Sequence, residues 1–172
     1  MKGISIDHIL PRFINNTAYK NEPILYVIQI ALAVVSIEND KIPLTVISTF
    51  QNVPNKLGYY YTPAQLRDDW DAGMFLIGEE EFKRALYGVV RLKLDGLIAA
   101  RLFLTAAIHE YTHAAQYKKE PEVMKIIRED QMVVDAKEEA AYKLAEKLVA
   151  RVCKESWVVE ALDDLDRELG WI

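Results

Sequence analysis

The chain has 172 residues, a formal net charge of −5, 51% hydrophobic and 27% charged residues. These values predict one globular domain over residues 1–172 with room for a substantial core, and they argue against an extended nucleic-acid-binding face. A single cysteine excludes an internal disulfide framework and leads us to expect a reducing, cytoplasmic location.

Residues 1–21 mix Pro11, Asn15, Asn16 and Thr17 with apolar Ile4, Ile9, Leu10 and Phe13, which predicts a short helix or turn and then a loop. His8 reads as a structural or surface residue. Asn15-Asn16-Thr17 matches a glycosylation acceptor, a match with meaning only in a secreted protein. Ile24–Ile37 is almost continuously apolar but shorter than the ~20 residues that span a bilayer, so a buried core helix is expected rather than a membrane span. Asp7 and Glu22 ahead of it argue against a signal peptide.

Pro43–Phe50 is β-branched and reads as a strand, Gln51–Lys56 as a loop, and Gly58–Thr62 as a second strand. Thr62-Pro63-Ala64-Gln65 carries a helix-start pattern, with a stop at Gly73. Met74–Ile77 reads as a third strand. Glu79–Leu94 fits both periods and is assigned to helix from its acidic start.

Leu97–Tyr117 has no Gly or Pro and is rich in Ala, with Asp95 as the expected N-cap. A second long helix is expected over about 133–154. A last helix is expected over 156–169, capped by Ser156, stopped by Gly170 and packed inward through Val159, Leu162 and Leu165.

The first long helix carries His109-Glu110-Tyr111-Thr112-His113, which uses two of the three histidines. Residues four apart share a helix face, so both imidazoles can address one Zn2+ ion. Glu110, rotated ~100° from His109, can reach a zinc-bound water without being a ligand, which is why this spacing is a metalloprotease signature. A catalytic zinc needs one more protein ligand and an open position. Cys153 is far along the next helix, which leaves Glu138 and Glu139. Val134, Glu138, Ala141, Ala145, Leu148 and Val152 form one stripe, whereas Glu139, Lys143, Glu146 and Lys147 fall on the charged side. Glu138 therefore interrupts the apolar face, where a carboxylate needs a partner, and is the expected third ligand. Tyr142, one turn from Glu138, is the candidate oxyanion donor, with a packing residue as the alternative.

Through His109, Glu110, His113 and Glu138-x-x-Ala141, the chain resembles small zincin metallopeptidases of the gluzincin type, near the minigluzincins. The specific resemblance covers roughly residues 97–150. It implies an α+β, compact zincin-like domain with a small mixed sheet, a backing helix, an active-site helix and a glutamate helix. It implies a zinc metalloendopeptidase that hydrolyses peptide or protein substrates, with Glu110 as general base. It also implies that an antiparallel rim strand pairs with the substrate backbone, a role assigned to Gly58–Thr62. Some minigluzincins resemble zymogens, and by that analogy the tail at Trp171-Ile172 would cover the cleft. One departure stands out. Many gluzincins place an Asp four residues after the ligand Glu to orient a zinc-bound His, and this chain has Tyr142 there; either another group such as Asp135 holds the imidazole or the surroundings of the ligands are altered. Two other classes stay open: a zinc-binding but inactive or latent peptide-recognition module, and a helical interaction domain with a chance motif. A DNA-associated protease fits the acidic balance poorly.

Overall fold

The computed structural model describes residues 4–7, 9, 12–39, 47–50, 59–60, 74–77, 98–122 and 131–170. The described elements are β1 (Arg12–Asn15), α1 (Asn21–Glu38), β2 (Ile47–Phe50), β3 (Tyr59–Tyr60), β4 (Met74–Ile77), α2 (Ile98–Lys119), α3 (Gln131–Val152) and α4 (Ser156–Glu168). The protein is α+β, mostly helical with a small sheet. His8, the helices expected over 62–73 and 79–94, the Asp95 cap and the Trp171-Ile172 tail lie outside the described residues.

The strand order is β1-β2-β4-β3. β1 and β4 flank β2 in parallel, with Arg12 opposite Ile47 and Ile47 opposite Met74, and β3 runs antiparallel to β4 with Tyr59 opposite Leu76. The expected mixed sheet is therefore present, and the Gly58–Thr62 strand contributes β3 at its edge, in contact with α2. β1 corrects the expectation of a short helix or turn over 1–21. Its Phe13 and Asn15 are half-buried while Arg12 and Ile14 are exposed, the two-residue period of a strand.

Ser48 and Phe50 point from β2 toward α2. The Ser48 and Tyr111 hydroxyls are hydrogen-bonded at 2.5 Å, and Phe50 meets Phe103 edge-on with centroids 5.8 Å apart. Burial pushes the Tyr111 phenol up, against the opposing hydrogen bond to Ser48.

α1 packs against α2 and α4. Its length and composition would allow it to cross a membrane, but half of it is buried inside the fold, and every residue from Ile30 to Val35 is buried. Over Ile30–Val35 the helix is buried on every side, and α1 packs against α2 in the place of the expected backing helix. Ahead of it, Asn15 donates to Tyr19 O and Asn21 Oδ1 and accepts from the Thr17 amide and hydroxyl. Both amide hydrogens of the glycosylation match are thus spent on holding the loop.

α4 closes the fold from the far end of the chain. Val158, Leu162 and Leu165 are fully buried; Val159, expected inward, is only half-buried. The helix begins at Ser156 and the capping position is Glu155, which makes no side-chain cap, so the Ser156 cap is not formed. The Gly170 stop is present: its φ is 78°, a left-handed conformation that favours glycine, and its amide bonds Arg167 O. Buried Asp166 accepts the Ala100 amide at 2.8 Å. Ala100 lies in the first turn of α2, where amides have no partner within the helix, so α4 caps the motif helix from outside. Burial raises the Asp166 pKa, partly opposed by this hydrogen bond.

Candidate metal centre

α2 and α3 pack together and bring the two halves of the site into register. On α2, His109 and His113 stand one turn apart, each with only 9% of its side chain exposed. On α3, Ala141, Ala145, Leu148 and Val152 are fully buried, so this stripe faces the core, as its spacing predicts. Glu138 sits at the outer end of the stripe and reaches the histidines with its side chain 44% exposed.

Three donor groups meet there. His109 Nε2 is 3.1 Å from Glu138 Oε2, His113 Nε2 is 3.0 Å from Glu138 Oε1, and the two Nε2 atoms are 3.1 Å apart. Glu139 points elsewhere: it is 66% exposed and paired with Lys143 along the helix. The choice of Glu138 as the candidate ligand is the one this geometry supports. Cys153 lies at the far end of α3, about four turns from Glu138, with its thiol pushed up by burial.

The hydrogen-bond pattern tests whether a cation fits. Gln116 Nε2 donates to Lys137 O at 3.2 Å, which turns its amide oxygen toward His113. His113 Nδ1 lies 2.9 Å from that oxygen and must be its donor. In neutral His113 the proton is then on Nδ1, so Nε2 presents a lone pair to both Glu138 and His109. Lone pairs and a carboxylate at 3.0–3.1 Å repel one another unless positive charge lies between them. Protons can supply part of that charge. The His113 pKa is raised: burial opposes this, but hydrogen bonds to Glu138 and Gln116 and the nearby Glu110 charge outweigh it. Hydrogen bonds from both histidines hold Glu138 well below the usual carboxylate range. Yet protons on both Nε2 atoms would face each other across the 3.1 Å gap. A divalent ion satisfies all three donors together. Tetrahedral zinc with ~2.0–2.1 Å bonds places its ligand atoms about 3.3–3.4 Å apart, a few tenths of an ångström wider than found here. Two imidazoles and one carboxylate also suit its chemistry.

Gln116 was not anticipated from the sequence. Its only signal is its position three residues beyond His113, on the same helix face. It, and not Asp135, accepts the His113 Nδ1 proton. Tyr142 is 59% exposed, and its ring lies over His109 at a centroid distance of 4.2 Å. Glu110, half-buried beside the cluster, is close enough for its charge to act on His113. No family model, curated protein or solved structure matches the chain.

Proposed function

We propose that the protein is a zinc-dependent metallopeptidase of the zincin type, acting on peptide or protein substrates. The observation that carries the reading is the convergence of His109, His113 and Glu138 from two helices on one point, with Glu110 one residue beyond His109. His109, His113 and Glu138 would hold the ion. When bound, zinc supplies a Lewis acid that lowers the pKa of a coordinated water and polarises a substrate carbonyl.

The chain's own groups do the rest. Glu110 is the general base: it takes the proton of the attacking water and returns it to the leaving amine. The Tyr142 hydroxyl, on the exposed side of the cluster, donates to the developing oxyanion. β3, the antiparallel edge strand beside α2, offers main-chain groups to an extended peptide, which gives affinity with little sequence preference. Partial exposure of Glu138 and Tyr142 leaves the cluster open to solvent on that side.

Glu110→Gln tests the mechanism. The amide preserves shape and leaves all three candidate ligands in place, so zinc content should match wild type while peptide hydrolysis falls by at least ~10²-fold. Normal hydrolysis by Glu110→Gln would remove Glu110 from the reaction. Stoichiometric zinc in wild type without turnover on any peptide would favour a binding module instead.

A further inference from the structure

We propose that Tyr142 is a positioning residue for His109, and that the face of its ring does for this ligand what a hydrogen-bond acceptor usually does. The proposal rests on the metal-centre reading above and adds a role for the ring distinct from that of the hydroxyl.

The two histidines are held differently. His113 is fixed by Gln116 at its Nδ1. His109 Nδ1 is buried and has no hydrogen-bond partner among the described residues. A metal-ligating imidazole ordinarily donates its second ring nitrogen, and that bond sets both tautomer and ring orientation. Without it, a half-turn about the Cβ–ring bond would put Cε1 where Nε2 stands and Cδ2 where Nδ1 stands, which removes the ligand nitrogen from the cluster unless packing prevents it. Two rings supply that packing: His113 meets His109 edge-on at 4.7 Å, and Tyr142 covers it at 4.2 Å with a 46° tilt. Tyr142 and Glu138 are one turn apart on α3, so one helix face delivers both a ligand and the brace for another ligand.

Tyr142 as a residue is 59% exposed, so most of its surface is not engaged in core packing. Its removal should therefore disturb the metal centre far more than the fold, which separates positioning from general structural support.

The experiment uses the full chain and Zn2+ alone, with affinity read by competition against a chromophoric chelator and geometry by the visible absorption of the Co2+-substituted protein. Tyr142→Ala should weaken zinc binding by ~10–100-fold, the usual cost of losing an orienting group, and alter the Co2+ spectrum. Tyr142→Phe keeps the ring and should bind zinc within about twofold of wild type. The metal-free melting temperatures of all three should agree closely. Zinc binding by Tyr142→Ala equal to wild type overturns the proposal, as does a loss in Tyr142→Phe as large as in Tyr142→Ala. If wild type itself binds no zinc, the metal-centre reading fails and takes this role with it; intact wild-type binding with an indifferent Ala variant overturns the positioning role alone.

Discussion

Removing one carboxylate should abolish the response of the protein to zinc, while removing its neighbour should not. Glu138 gives one oxygen to each histidine at 3.0–3.1 Å, so Glu138→Ala leaves two nitrogens and removes the candidate ligand carboxylate. Zinc at 100 times its Kd stabilises the folded state by about 2.7 kcal/mol. For a chain of this size each kcal/mol moves Tm by roughly 2–4 °C, so wild type should gain about 5–11 °C on adding zinc. Glu138→Ala should gain almost nothing and should purify without stoichiometric metal. Glu139→Ala removes only a solvated partner of Lys143 and should keep both metal content and thermal gain. Elemental analysis and thermal scans with and without zinc read all three proteins. A full zinc response in Glu138→Ala, or its loss in Glu139→Ala, would refute the assignment; no response in wild type would refute the metal centre.

Gln116→Ala should weaken zinc binding by ~10–100-fold in the same chelator competition, because the hydrogen bond from His113 Nδ1 to Gln116 is lost. Ser48→Ala should cost about 1 kcal/mol in urea unfolding by removing the buried hydrogen bond to the Tyr111 hydroxyl, and Ser48→Ala/Tyr111→Phe together should cost less than the sum of the single changes. Glu38 is paired with Lys147 and Arg151, and its pKa is lowered, chiefly by the Lys147 hydrogen bond. A lowered folded-state pKa gives stability that is fully present above the ordinary value of 4.5 and is lost as pH falls through the folded value. The advantage of wild type over Glu38→Gln, below about 1 kcal/mol at pH 7, should therefore close as urea titrations move below pH 4.5.

The long helices could be read from the chain because their causes are local. Apolar spacing marks α1 and α3, the Ala-rich run marks α2, and Gly170 ends α4. Glu138 could be separated from Glu139 for the same reason: one falls on the buried stripe and the other beside Lys143. What escaped depends on partners distant in sequence. β1 is a strand because Arg12–Asn15 pairs with Ile47–Phe50, and four residues of modest β character give little sign of that. Asp166 falls on the buried face, four residues after Leu162, but nothing in α4 itself shows that its partner is the Ala100 amide of α2. Gln116 is an ordinary helix residue until α3 brings the Lys137 carbonyl to its amide. Tyr142 could be placed one turn from Glu138, but its contact with His109 requires two helices to meet.

The cap that α4 places on α2 orders events during synthesis. His109, His113 and Glu138 have all been made before Asp166 is added, a few tens of residues later and on the order of seconds at ~5–20 residues per second. Until then the Ala100 amide lacks its acceptor, and the core residues of α1 lack Leu162 and Leu165. The nascent chain thus holds every candidate ligand before it holds the helix that caps α2. Vectorial synthesis in this way separates the appearance of the candidate ligands from the capping of the helix that carries two of them.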